Sequence, residues 1–243
     1  MRAPRPGPGV GRELTVRQQL ACALRILAHE GWCENLSGHI TWATSDGGMW
    51  CNPWGLWWAE VRASDIVRLD ADGDIVEGRW DVTPVVFLHT KLHRTRSDAT
   101  IVVHNHPYYA TLLAAMHEMP RMVHQNSCIF DGEVVLVDEY AGVEDATQGR
   151  WLAEQVGAAS GILLAHHGAI VTGTTIGEAC YKAVTFERMC RMTYDILALG
   201  RIPTEIPAAQ RPDLKSALRQ NTPLAYWDGA ARQLLAHEPE TVQ

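Results

Sequence analysis

Ile101-Val102-Val103-His104-Asn105-His106-Pro107-Tyr108-Tyr109 runs from β-branched residues into two imidazoles and closes on a proline. The β-branched run predicts a strand over Thr100–His104, and Pro107 predicts the first residue of a helix reaching Met116. Residues i and i+2 of a strand share a face. His104 and His106 therefore aim at one point, and Asn105 faces away. Two imidazoles alone make an incomplete site, because a zinc-like ion needs at least three protein groups at about 2.0 to 2.2 Å. The best source of a third is His166-His167-Gly168, which follows another apolar run, Ile162–Ala165; glycine there permits a close backbone approach. On spacing alone the pair reads equally as a metal site and as polar residues at a strand end. Nothing in the spacing brings the two histidine segments together.

Outward from that stretch, strand and helix patterns alternate. Val134–Val137 and Ala169–Val171 read as strands, and Thr147–Val156 and Ile176–Leu199 as helices. Towards the N-terminus, Val16, Leu20, Leu24 and Leu27 recur at helical spacing between Glu13 and Glu30, with Gly31 as a left-handed terminator. His39–Ala43, Met49–Cys51, Asp65–Leu69 and Ile75–Val76 read as short strands, the last two joined through a hairpin at Asp70-Ala71-Asp72-Gly73-Asp74. Thr83-Pro84 predicts a helix start running to about Arg94. The expectation is an α/β fold, a single-domain three-layer α-β-α arrangement around a mainly antiparallel sheet. The proline- and arginine-rich residues 1–12 predict a disordered tail, 13–200 the domain, and 201–243 a C-terminal extension. That extension is polar to Thr222, with a last helix near Asp228–Ala236, packing on the domain or a neighbouring subunit.

The chain has 243 residues, 47% of them hydrophobic, enough for a sizeable core. Its net charge of −7 has the wrong sign for a nucleic-acid binder or an anionic membrane surface. No run is long and apolar enough to predict a spanning helix. The six cysteines lack CxxC spacing and mostly lie in apolar segments, which predicts neither a zinc ribbon nor a disulfide framework and suits a reducing cytoplasm.

The residues just quoted resemble the class II aldolase/adducin family over about Leu14 to Leu199. Gly31–Ile40, GWCENLSGHI, resembles its glycine-then-NLSGN signature, and Asn52-Pro53-Trp54-Gly55 its T/N-P-x-G turn. Ala63-Ser64-Asp65-Ile66-Val67 resembles its A/S-S-D segment; His89–Pro107 and His166–Glu187 resemble its two histidine-bearing stretches. The resemblance implies one divalent metal per subunit, zinc, manganese or iron, held by His104, His106 and His167. It implies substrate contacts from Asn35, Ser37, Asn52, Trp54, Gly55 and Thr83, and a homotetramer with sites near subunit interfaces. Adducins lack this histidine set, so its presence favours an enzyme.

The pattern breaks at Thr83-Pro84-Val85, where phosphosugar aldolases carry Ser-Ser-Glu. Valine neither ligates nor titrates, so proton transfer by that glutamate is lost, and without the two serines a phosphorylated sugar fits poorly. A neutral three-histidine set leaves a metal its full charge and open positions for an anionic small-molecule carboxylate. Six of the nine tryptophans fall between Trp32 and Trp58, and Trp54 in the substrate turn suits a flat or apolar substrate. The expected activity is a metal-dependent lyase, decarboxylating a hydroxylated aromatic or heteroaromatic carboxylate or cleaving an unphosphorylated hydroxy-keto acid. The alternatives are a non-haem Fe(II) oxygenase on the same site and a non-catalytic adducin-like assembly protein. Tyr140, His93 and Lys91 are the candidates to replace the missing proton carrier.

Overall fold

A computed structural model describes residues 7–9, 13–83, 86–138 and 146–243. The N-terminal tail lies largely outside these residues. Helix α1 (Val16–His29) lies within the predicted range but starts at Val16 rather than Glu13, because the Thr15 side chain accepts from the Gln18 backbone while the Gln18 side chain accepts from the Thr15 N–H. Gly31, at φ 75°, ends it. Strands β1 (His39–Ala43), β2 (Met49–Cys51), β3 (Val67–Leu69) and β4 (Ile75–Glu77) follow, then α2 (Phe87–Thr95), β5 (Ile101–Asn105), α3 (Tyr108–Ala115), β6 (Val134–Val137), α4 (Ala146–Val156), β7 (Gly161–Leu164), β8 (Gly168–Gly173), α5 (Ile176–Ala198) and α6 (Arg211–His237).

The eight strands form one sheet in the order β4-β3-β2-β1-β5-β8-β7-β6. All pairs are antiparallel except β6 with β7. Alternation along the central strands divides the core in two. Ile101, Val103, Ala169 and Val171 pack with residues of α1, α3, α5 and α6. Val102, Ile162, Leu164 and Ile170 pack on the other face with Leu92 of α2 and Leu152 of α4. The three-layer α-β-α expectation is therefore met. Fully buried Leu20, Leu24 and Leu27 fix α1 to the first face, each worth about 2 kcal/mol of burial.

Several predicted boundaries move. β3 begins at Val67 rather than Asp65, because Ala63–Asp65 forms a 3-10 turn in which the Asp65 carboxylate accepts from Arg62 N–H, Arg79 and Trp80 Nε1. α2 begins at Phe87, so Thr83 precedes the helix instead of capping it; Pro84 and Val85 lie outside the described residues. Pro107 is the residue before α3, extended at ψ 140°, rather than its first residue. The largest correction is α6, a 27-residue helix that begins at Arg211, within the stretch read as polar and non-helical, instead of near Asp228. Its Leu218, Trp227, Ala231 and Leu234 are buried, and Pro223 sits inside it. All six cysteines are unpaired, and no helix among the described residues is long and apolar enough to cross a membrane.

Candidate metal centre

β5 and β8 run antiparallel as neighbours, with Asn105 opposite Ala169 and His104 opposite Ile170. The C-terminal end of β5 and the turn entering β8 therefore share one edge of the sheet. That register brings together the two segments the sequence left separate. One ring nitrogen from each of His104, His106 and His167 lies within 4.8 Å of the other two.

Each outer ring nitrogen has a defined task. His104 Nδ1 lies 3.0 Å from the Ala169 carbonyl, which only accepts, so Nδ1 carries the proton and Nε2 a lone pair. His106 Nδ1 lies 2.7 Å from Glu34 Oε2, with the same consequence, and its Nε2 is buried without a partner. His104 Nε2 and His167 Nε2 are 3.2 Å apart. Two ligands of a tetrahedral ion at 2.0 to 2.1 Å stand about 3.3 Å apart, so the spacing fits a divalent metal.

Burial, reinforced by neighbouring imidazoles, pushes His104 well below the usual histidine range, and burial takes His167 down to about 4. Both rings are thus neutral at pH 7, the form that ligates. Behind them lies a second imidazole layer. His39, paired with His104 in the β1–β5 register, stacks on it at 6.1 Å and leaves both ring nitrogens buried without partners. His93 Nδ1 donates to Ala99 O at 2.6 Å, so its Nε2 accepts from the Thr41 hydroxyl, which in turn accepts from His89 Nδ1. His89 Nε2 is left as a further buried lone pair.

The loop before β1 is clamped to the same strand by Asn105. Its Oδ1 accepts from the backbone N–H of both Glu34, at 3.0 Å, and His106, at 2.7 Å, and its Nδ2 donates to Ser37 O at 2.8 Å. Gly38 makes the approach possible, since a Cβ there would stand 2.4 Å from Asn105 Nδ2 and from His104 O. Asn35 holds a left-handed φ of 49°, which asparagine adopts more readily than other non-glycine residues.

The remaining sequence candidates separate clearly. Asn35 and Ser37 sit on the clamped loop beside the triad. Asn52 is a buried strut, its Oδ1 accepting from Ile40 N–H and its Nδ2 facing Gly38 O, so it supports the loop rather than opening to a ligand. Trp54 and Gly55 are exposed on their turn, whereas Trp32 and Trp58 are core residues. Thr83 is half-buried ahead of α2. His93 has both nitrogens hydrogen-bonded, to Thr41 and to Ala99 O; Lys91 is half-buried on the same helix. Tyr140 lies outside the described residues. His166 turns from the triad at φ 56° to meet His117 Nε2 at 3.2 Å, and His117 Nδ1 meets Asp138 at 2.8 Å. Glu34, His39 and Asn105 were missed as contributors. The histidine in NLSGH, where the family signature ends in asparagine, was the available signal for His39; only the loop-to-strand contact exposes Glu34 and the Asn105 clamp.

A cavity of about 990 Å³, bordered by Trp42, Thr172, Lys182, Arg219 and Trp227, lies at the opposite end of β8, where Thr172 and Gly173 pair with Val102 and Ile101.

Residues 18–194 match the family described as Class II Aldolase and Adducin N-terminal domain. An adducin-related protein of Schizosaccharomyces pombe is 29% identical over 228 residues, covering 87% of this chain but 65% of that protein. The decarboxylase NovR of Streptomyces niveus is 30% identical over 194 residues, 77% of this chain and 72% of the relative. A 4-hydroxy-3-prenylphenylpyruvate oxygenase/4-hydroxy-3-prenylbenzoate synthase of Streptomyces roseochromogenus is 29% identical over 207 residues, 82% and 75% of the two chains. Among solved structures, L-fuculose 1-phosphate aldolase from Glaciozyma antarctica superposes with a TM-score of 0.83 at 22% identity, covering 100% of this chain and 97% of the other.

Proposed function

Because this chain belongs to the class II aldolase and adducin family, we propose that it is a divalent-metal-dependent carbon–carbon lyase acting on an unphosphorylated carboxylate, a decarboxylase of a hydroxylated aromatic acid or an aldolase of a hydroxy-keto acid. The observation that carries this reading is the convergence of three imidazoles, two with lone pairs fixed by Ala169 O and Glu34. A bound zinc, manganese or iron ion would supply Lewis-acid stabilisation of the charge that develops when the bond breaks.

The chain's own part is to hold His104 and His106 in the ligating tautomer, to keep His104 and His167 unprotonated by burial, and to present Asn35 and Ser37 beside them for the substrate anion. Tyr140 is retained as the proton carrier on its sequence position, since His93 has no free nitrogen. Assembly into a homo-oligomer with sites near subunit contacts belongs to the same reading. It is supported by exposed Leu36 and Tyr108, apolar side chains on the Glu34 loop and just after His106. Residues 13–200 would form the catalytic domain and 201–243 the extension, as supported by the packing of α6 on α5.

Metal analysis followed by incubation with a panel of hydroxyaromatic carboxylates and hydroxy-keto acids tests the proposal. The expected result is about one metal per chain, with carbon dioxide or aldehyde released equally with and without oxygen and lost in His104→Ala. Metal-replete protein inert towards the whole panel would overturn it. A second reading, an Fe(II) oxygenase, is favoured by the similarity to the prenylphenylpyruvate oxygenase; turnover that stops under strict anaerobiosis would select it.

A further inference from the structure

We propose that Glu34 is the positioning carboxylate of this metal centre: it holds His106 with Nε2 free to ligate and supplies, from the loop before β1, the negative charge that valine cannot supply at position 85. The inference rests on the metal-site reading above. Its geometry is independent of the family pattern, in which the carboxylate comes from the other side of the sequence.

Glu34 Oε2 and His106 Nδ1 are 2.7 Å apart. An ionised carboxylate only accepts, so the contact requires a proton on Nδ1 and leaves the pair of electrons on Nε2, the nitrogen that is buried without a partner. The contact is held in place rather than left to two mobile side chains. Glu34 N–H and His106 N–H donate to the same Asn105 oxygen, and the loop's return leg is tied by Asn105 Nδ2 to Ser37 O. Asn35 supplies the left-handed φ of 49° at which this loop turns, a conformation asparagine tolerates better than most side chains. Among the described residues, the cluster with ligand geometry contains no carboxylate of its own. Glu34 is about half exposed, so as a bare ion pair it would add little stability. Its effect runs through ring orientation and ligand basicity, which for such outer partners is worth about 10- to 100-fold in metal affinity.

The test is the metal dissociation constant, measured with zinc against a chromophoric chelator for the wild type, Glu34→Ala, Glu34→Gln and His104→Ala. It is paired with nitrogen-15 correlation spectra of the metal-free proteins that report which His106 nitrogen bears hydrogen. Glu34→Ala should weaken zinc about 10- to 100-fold and mix the His106 tautomers. Glu34→Gln, which keeps an acceptor oxygen, should preserve the tautomer and recover part of the affinity. Unchanged zinc affinity and tautomer in Glu34→Ala, with His104→Ala still losing zinc, would overturn the role of Glu34 alone. If the wild type bound zinc no better than His104→Ala, the metal-site reading would fall and this inference with it. Should Glu34→Ala not fold, the Glu34→Gln tautomer and affinity decide.

Discussion

Gly168 has no room for a side chain: a Cβ would stand 2.6 Å from Asn105 O and from His106 Cδ2. Its smallness lets β8 lie against the end of the ligand strand. Gly168→Ala should therefore displace the His106 ring, cost about 1–3 kcal/mol from overpacking, and weaken zinc binding more than tenfold. Thermal denaturation and chelator competition on the same variant check both parts, and wild-type zinc affinity in Gly168→Ala would refute the link between this contact and the ring. At this scale the sequence shows what is local. The i, i+2 rule places His104 and His106 on one face without any fold, and the tightness after His167 is already suggested by glycine. Glu34, by contrast, meets His106 across 72 positions of sequence, and His39 meets His104 only through the β1–β5 register. His93 looked available as a lone imidazole on a helix face; its loss to Thr41 and Ala99 depends on two other elements.

Short apolar strands and capped helices were readable because their signals are local, and β6 falls on Val134–Val137 as expected. α6 was not readable over its first half. Proline and polar residues dominate Arg211–Thr222, and the face that buries Leu218 has its partners in α5 and in the 3-10 turn Gln125–Phe130. Its anchor is electrostatic as well. Glu133, ahead of β6, receives Lys215 at 2.7 Å, Arg219 at 2.6 Å and the Ser160 hydroxyl at 2.7 Å. Burial pushes this carboxyl up, but the hydrogen bonds from Lys215 and Ser160 together with the nearby lysine charge outweigh it, leaving it below its ordinary range. A carboxylate so held stabilises the fold fully above the ordinary carboxylate range and loses that contribution as pH falls through its lowered value. Glu133→Gln should accordingly cost about 1–3 kcal/mol at pH 7, and its gap in melting temperature from the wild type should close as the pH is lowered towards 3. A gap independent of pH would mean that shape, not charge, anchors α6.

Across the whole molecule, one sheet separates two cores, and the histidine cluster sits where the two central strands expose their shared edge. The three-layer order was legible from alternating strand and helix signals, whereas the strand order was not, because β5 joins β8 across intervening α3, β6, α4 and β7. A ligand bound only by the folded state stabilises it by mass action, about 4 kcal/mol when present at a thousand times its dissociation constant. Zinc should raise the melting temperature of the wild type and a chelator should lower it, while His104→Ala should respond to neither; an equal response in the variant would locate the effect elsewhere. The β5–β8 neighbourhood also carries a topological consequence. An ion held by both His106 and His167 would join two points far apart in the chain, and, unlike a disulfide, it would do so only while the fold keeps β5 beside β8, so its whole contribution to stability would be the mass-action one. A metal held there would then act as a removable staple across the centre of the sheet.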